Sequence, residues 1–589
     1  MSDNGTSLTP LGKMISILLI LGLIGLGAWL ILKPGGEAPV AQNGGHDPKG
    51  GPGPGPGPEG PEGPLNPPGP GLEAPDLTGV TTVKEYKYVP ADKLPPVKGA
   101  ANYKWDEKEK VVVFSYNVWA GWLPIIAANH GTEPNEESVF FKKYGFKVKM
   151  ELIDDPVKAR DAFAAGEVHA LWGTVDMLTL FAPELMRDSR TAPRIVQQID
   201  WSSGGDGIVV RSKFVRSVKD LKGKTVAFAP NSPSEYYLTS LLLSAGLKPS
   251  DITPKPTDTA FSAATAFVSE ASIHACVSWA PDIYNISERI QGTKILSSTA
   301  DANKLIADVY ALRADFVRDH PEVVEGLIAG IFQGMDLVKA DPAGPCEWMA
   351  KAFQMQQQEV MGMRQDFHTT NFAENVQFFL NASNPTNFER TWENACYVYR
   401  KLGRVDTPVT FDQVSDFSFI KKLEAKGTFK HQKDENVAHF TPGSFSGSAE
   451  APILTQTIRI NFFPNSSNPY EPARDPFGNL IQGKLYDPNA DATLEQCARL
   501  SGQFDRAVVL IEGHTDASMK GKVPEVAVKK LSEDRANAVK QALIDKFKFD
   551  PNKFTVRGIG WEKPFDPNQP ANHALNRRVE ISIFPPEQQ

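Results

Sequence analysis

Four cysteines in 589 residues, at positions 276, 346, 396 and 497, provide no Cys-x-x-Cys pair and no closely spaced Cys/His group. That excludes a zinc site built on the usual ligand spacing, and no metal or other cofactor is expected. Nor is there a basic excess: 62 Lys+Arg stand against 70 Asp+Glu, a net charge of −8. With nothing in surplus to neutralise phosphates, nucleic acid is excluded as the main partner. Charge is missing altogether from residues 14–32, MISILLILGLIGLGAWLIL, between Lys13 and Lys33. At about 1.5 Å per residue this run reaches about 28 Å, close to the hydrocarbon thickness of a bilayer. A cleaved signal peptide has a shorter apolar core, about 7–15 residues, so the run reads as an uncleaved signal anchor. The expected placement is a single-pass inner-membrane protein, with residues 1–13 cytoplasmic and the domains in the periplasm.

Glycine and proline are scarce in no part of the early chain. Residues 34–72 run through GGPGPGPGPEGPEGPL, a composition that cannot bury a core and favours extended, partly polyproline-like chain. Residues 33–103 therefore read as a tether. From 104 the texture changes. Strand-like runs (VVVFSY, KVKMELI, GIVVR, TVAFAP, HACVSW) alternate with helical ones, the pattern of an α/β unit with largely parallel sheets. Residues 315–425 look mainly helical, and 426–452 form a second polar linker. The last unit, 453–589, reads strand, helix, strand, helix, strand, with a final strand at its end. The whole is an α/β multidomain chain.

The last unit carries four linked motifs: Gly513-His514-Thr515-Asp516 at a strand end, Leu531-Ser532-Glu533-Asp534-Arg535-Ala536 on the next helix, GIGWEKP at 558–564, and NRRVE at 576–580. In this order and spacing they resemble the OmpA-like peptidoglycan-binding domain. The resemblance implies that Asp516 and Arg535 grip the ammonium and carboxylate of a diaminopimelate peptide, with Thr515, Asn576 and Arg578 at the pocket edge. A carboxylate and a bidentate guanidinium suit such a zwitterion; an Asp516–Arg535 ion pair without ligand is the plainer reading. The sequence departs from the pattern in a loop about four residues longer after Asp516, and in Val528 where an asparagine is usual.

Between 104 and 425, the pieces NVWAGWLP, WGTVD, DWSSGGDGIVV, DLKGKTVAFAPNSPSEYYL and SWAPD resemble the periplasmic substrate-binding proteins of ABC importers. The nearest group is the nitrate/sulfonate/taurine type, whose fold is shared with thiamine-pyrimidine-precursor binders. The resemblance implies a two-lobed type II binding-protein fold, lobe two at about 205–300, closing by a hinge on a small-molecule solute, with an ABC permease as a further candidate partner. Ligands in such sheets sit at strand carboxyl ends near helix N-termini. The solute candidates there are Trp119, Trp122, Thr174, Asp176, Ser202, Asp206, Ser232, Ser234 and Trp279. Aromatics beside acids fit a cationic or zwitterionic solute; serines at helix starts fit an oxyanion equally well.

The expectation is a solute-binding protein attached to peptidoglycan, and not an enzyme. A stator-like wall anchor is one alternative, though its membrane helix would carry an acid that 14–32 lacks. A pyrimidine-synthase-like enzyme is another, with His169 and His274 the reactive candidates. Cys346 and Cys396 could pair in an oxidising compartment.

Overall fold

The computed structural model describes residues 79–90, 94–441 and 452–584, all within one compact unit of the chain. The tether before residue 79 and the apolar run 14–32 lie outside the described residues.

Two sheets organise the central region. The first has six strands in the order Phe367–Thr369, Pro193–Ser202, Ala307–Arg313, Ala170–Thr174, Val111–Tyr116 and Lys147–Leu152. The second has five, in the order Thr253–Pro256, Thr225–Phe228, Ala275–Trp279, Asp206–Arg211 and Thr293–Ser298. Val111–Tyr116 pairs in parallel with both of its neighbours, as does Thr225–Phe228. The strands Pro193–Ser202, Asp206–Arg211 and Ala307–Arg313 run antiparallel to their neighbours. The sheets are thus mixed rather than largely parallel. The reason is connectivity: a strand that leaves one sheet to enter the other needs no helical crossover, so it returns antiparallel.

Two connections join the sheets. Ser203, Gly204 and Gly205 link Pro193–Ser202 to Asp206–Arg211, and residues 299–306 lead back from Thr293–Ser298 to Ala307–Arg313. Thr299 ties them together. Its Oγ1 accepts from Gly204 N at 2.9 Å and Asp206 N at 3.1 Å, and lies 2.8 Å from Ser202 Oγ.

Helices cover both sheets, and one continuous apolar interior runs through the first. Trp122, Phe114 and Tyr310 are buried there, with Phe114 centred 5.8 Å from Trp122 and 5.0 Å from Tyr310. The region 315–425 is mainly helical, as its periodicity predicts, from Pro321–Ala340 to Ser418–Lys426, and contributes the edge strand Phe367–Thr369. All four cysteines are free and buried, so the Cys346–Cys396 pairing does not form.

Residues read above as the end of the tether lie against this body. Thr82 donates to Asp282 Oδ1 through N and Oγ1, at 2.8 and 2.7 Å, and Val80 is buried. Tyr86 and Tyr88 both donate to Glu270. On the six-stranded side, Arg313 is fully buried and donates to Ala101 O and Phe163 O, at 2.7 and 2.6 Å. Short apolar and aromatic side chains scattered among polar ones gave this stretch a linker's texture; its hydrogen bonds to the body are what fix it.

The C-terminal region forms a four-stranded sheet in the order Leu454–Ile458, Arg578–Phe584, Val508–His514 and Phe554–Gly560, with helices Ala490–Gln503 and Glu525–Phe547 packed on it and a hairpin at Pro472–Arg474 and Leu480–Leu485. Its loop after Gln503 meets both connections of the central region. Arg506 Nη1 donates to Ser203 Oγ at 3.3 Å, Asp505 N to Asn303 Oδ1 at 3.0 Å, and Lys304 Nζ pairs with Asp505 Oδ2 at 2.9 Å. Behind the loop, buried Lys553 donates to the carbonyls of Phe504, Asp505 and Ala507 at 2.7–2.8 Å.

Candidate functional site

A cavity of about 840 Å3 opens between the two sheets, at the carboxyl ends of their parallel strands. Several sequence candidates meet in it. Trp119 ends the loop after Val111–Tyr116, Thr174 caps the helix Val175–Leu185, and Ser232 caps Pro233–Ser244. Asp206 and Trp279 sit on adjacent strands, in register with each other. All five line the cavity.

Four others do not. Trp122 follows Trp119 by three residues, but the intervening 3-10 turn, Ala120–Trp122, rolls its ring into the core. There its Nε1 donates to Asn117 Oδ1 at 2.7 Å. Asp176, Ser202 and Ser234 are buried behind the cavity wall. Tyr399 donates to Asp176 Oδ2 at 3.0 Å, and Ser202 Oγ to Asp206 Oδ2 at 2.7 Å. Among the lining residues that had escaped notice are Asn117, Trp172 and Asp308. Trp172 and Asn117 stand inside quoted motifs. Asp308 carries no local signal, since only the antiparallel return of Ala307–Arg313 brings it there.

The cavity is aromatic and acidic. Trp119, Trp172 and Trp279 form walls; Asp154, Asp155, Asp206, Asp258 and Asp308 line it, against Lys158 as the one basic residue among those described. Burial pushes Asp206 up to about 7 despite the Ser202 hydrogen bond. It also pushes Asp200 to about 7, although Trp119 Nε1 donates to its Oδ2 at 3.1 Å. Asp308, opposite Asp200 on the adjacent strand, is held well above the ordinary carboxylate range by burial and then by that neighbour.

His169 and His274 lie away from the cavity. Val113 N donates to His169 Nδ1 at 2.9 Å, so His169 Nε2 carries the proton and donates to Lys104 O. His274 Nδ1 accepts from Thr225 N at 3.2 Å. Both tie strands to their neighbours.

In the C-terminal region the motif glycines have a packing reason. A Cβ on Gly513 would meet Ser532 O at 1.9 Å, and one on Gly558 would meet Lys529 O at 2.2 Å. The long helix Glu525–Phe547 therefore lies directly on the strand ends, bringing Arg535 near Asp516. The two do not pair among the described residues. Asp516 Oδ2 accepts from Arg577 Nε at 2.6 Å and lies 3.0 Å from His573 Nδ1; Oδ1 accepts from Ser518 N at 2.9 Å. Burial pushes its carboxyl up, but the bonds from Ser518, Arg577 and His573 outweigh that and hold it far below the ordinary range. Arg535 Nε donates to Ser466 O at 3.0 Å, and the guanidinium lies over Phe462. Burial, then the like charge of Arg577, lowers Arg535 to about 10.

Thr515 is buried, and its hydroxyl has no hydrogen-bond partner. Asn576 and Arg578 face inward. Asn576 bonds Phe565 N, Gln569 O and Asn572 O, and Arg578 Nε donates to Glu580 at 2.7 Å. Arg577, one residue over in the same motif, is the arginine on Asp516; a strand's alternation sends adjacent side chains to opposite faces.

Residues 482–578 match the OmpA family, and residues 135–344 match the family described as NMT1/THI5 like. The chain carries an NMT1/THI5-like domain and a C-terminal OmpA domain. Among curated proteins, outer membrane protein Omp38 of Acinetobacter baumannii is 33% identical over 91 residues, 15% of this chain and 24% of that protein. A binding protein of Brucella abortus is 28% identical over 152 residues, 26% of this chain and 47% of that one. The chain thus spans about a quarter of the first relative's length and under half of the second's. Among solved structures, the periplasmic aliphatic sulphonate binding protein SsuA from Escherichia coli aligns at 18% identity over 52% of this chain and 96% of its own, with a TM-score of 0.41. At that level the alignment assigns no ligand.

The expected inner-membrane placement is corrected by these findings. The relatives of the OmpA domain are outer membrane proteins, Omp38 and the porin F of Pseudomonas fluorescens. Among the described residues no helix is long and apolar enough to cross a membrane.

Proposed function

We propose that this chain is a solute-binding protein of the cell envelope whose C-terminal domain attaches it to peptidoglycan. The observation that carries the reading is the cavity between two sheets joined by two connections, at strand carboxyl ends. That arrangement lets two lobes close on a small molecule by rotation about the paired connections. An ABC permease is the partner that such a closed form would address.

For the wall, Asp516 and Arg535 are the proposed grips, with Thr515 beside them. A diaminopimelate ammonium would take the place of the Arg577 and His573 donors on Asp516, and its carboxylate would take guanidinium donors of Arg535 not used by Ser466. Arg577 is then the donor that the ligand's ammonium would displace from Asp516. Asn576 and Arg578 support the loop from inside.

The experiment is sedimentation of the full chain with purified peptidoglycan. Binding by the parent, lost in Asp516→Ala and in Arg535→Ala with folding intact, is the expected result. Removing a partly buried charged contact typically costs about 2–5 kcal/mol, roughly 30- to several-thousand-fold in affinity. Parent-like sedimentation by both variants would sink the assignment.

A further inference from the structure

We infer that the cleft takes an organic cation, a solute whose positively charged amine or quaternary ammonium sits against Asp206 and Asp308 with its apolar part between Trp119, Trp172 and Trp279. This rests on the solute-binding reading and fixes the charge that reading leaves open.

The first ground is the balance of charge. Among the described residues, five aspartates line the cavity against the single Lys158, and Lys158 already lies 3.6 Å from Asp155. An anion entering here would meet buried carboxylates and no arginine. The second ground is that the acid is unfinished. Asp206 is only 5% exposed, and its Oδ1 has no hydrogen-bond partner. Asp200, directly behind the wall, is fully buried with its Oδ1 likewise unpartnered. Burying carboxylate oxygens without donors is costly unless a proton or a cation supplies them. A bound ammonium would supply the missing donor.

The third ground weighs against the competing anion reading. Helix N-termini bind oxyanions through free N–H groups, but at three helices that start at this cavity a cap already takes one of them. Thr174 Oγ1 accepts from Met177 N, Ser232 Oγ from Ser234 N and Thr259 Oγ1 from Ser262 N. Asn231 N is taken by Glu235 at 2.7 Å. Three indoles, by contrast, offer the electron-rich faces that attract a cation within about 6 Å. The indole N–H of Trp279 is buried without a partner, a donor for an acceptor atom elsewhere on the same solute.

The test titrates the full chain with choline, putrescine, agmatine and simple primary amines, and with a matched set of methanesulfonate, sulfate and nitrate. Calorimetry and tryptophan fluorescence are the readouts, on the parent, Asp206→Asn and Asp308→Asn. The expected result is saturable binding of at least one cation and of no anion, weakened at least tenfold by either substitution. Saturable binding of an anion by the parent overturns the charge assignment and leaves the solute-binding reading standing, whether or not the variants fold. Saturation by neither set overturns both.

Discussion

Asp308 sits among acids, and that sets a pH signature for the empty protein. Its carboxyl, with those of Asp200 and Asp206, is raised above the unfolded value, mainly by burial. A raised carboxyl contributes stability that is fully present below about pH 4 and is lost as pH climbs through the folded value. For Asp200 and Asp206 that window closes near 7. The other groups facing this cluster are Asp176, raised to about 6, and Asp366, raised to about 7, both by burial; among the described residues Lys158 is the basic one at the cavity. Buried His169 and His514, lowered to about 4 by burial, act in the opposite sense as pH falls below about 6.5. Because the histidines are common to both proteins, comparing Asp308→Asn with the parent isolates the cluster. The melting temperature of the parent should fall more between pH 5 and pH 8 than that of the variant; equal slopes would refute the account. Two tryptophans three residues apart make a second contrast. Trp122→Ala empties a core site and should cost about 3–5 kcal/mol of stability, read by denaturant melts. Trp119→Ala should instead abolish solute binding with a smaller loss of stability.

Among the elements, those with local causes were legible. Ser232 followed by Pro233, and Thr174 before Val175, announce helix starts through a cap and a fixed φ, and both helices begin there. The sheet-to-helix approach behind Gly513 and Gly558 is likewise written in the glycines. What the sequence could not disclose depends on connectivity. The strand Ala307–Arg313 looks like any other buried strand, yet its antiparallel return between Pro193–Ser202 and Ala170–Thr174 delivers Asp308 to the cavity. The choice of Arg577 over Arg578 turns on one residue of strand phase, which a motif match does not specify. The 3-10 turn that separates Trp119 from Trp122 has no signal of its own, since a three-residue turn is too short to show periodicity.

For the whole molecule, the contact of Gln503–Arg506 with both sheet connections is the feature that matters. If the lobes rotate about the two connections, Ser203 and residues 303 and 304 lie at the pivot, and the C-terminal domain touches all three. The double substitution Lys304→Ala with Arg506→Ala should therefore loosen the hinge. Small-angle X-ray scattering of the ligand-free chain would show a larger radius of gyration than the parent, and solute affinity should change with no residue of the cleft altered. An unchanged scattering profile and affinity would mean that the contact is idle. The loop itself has little freedom to yield, because the Lys553 ammonium, pushed by burial down to about 7, clamps three of its carbonyls from behind. A pull on the C-terminal domain is then delivered through Lys553 to the loop, and from the loop to Ser203 and Lys304. Grip on the wall and closure of the cleft would be mechanically in series, so that turgor stretching the envelope would register as a change in how readily the lobes part.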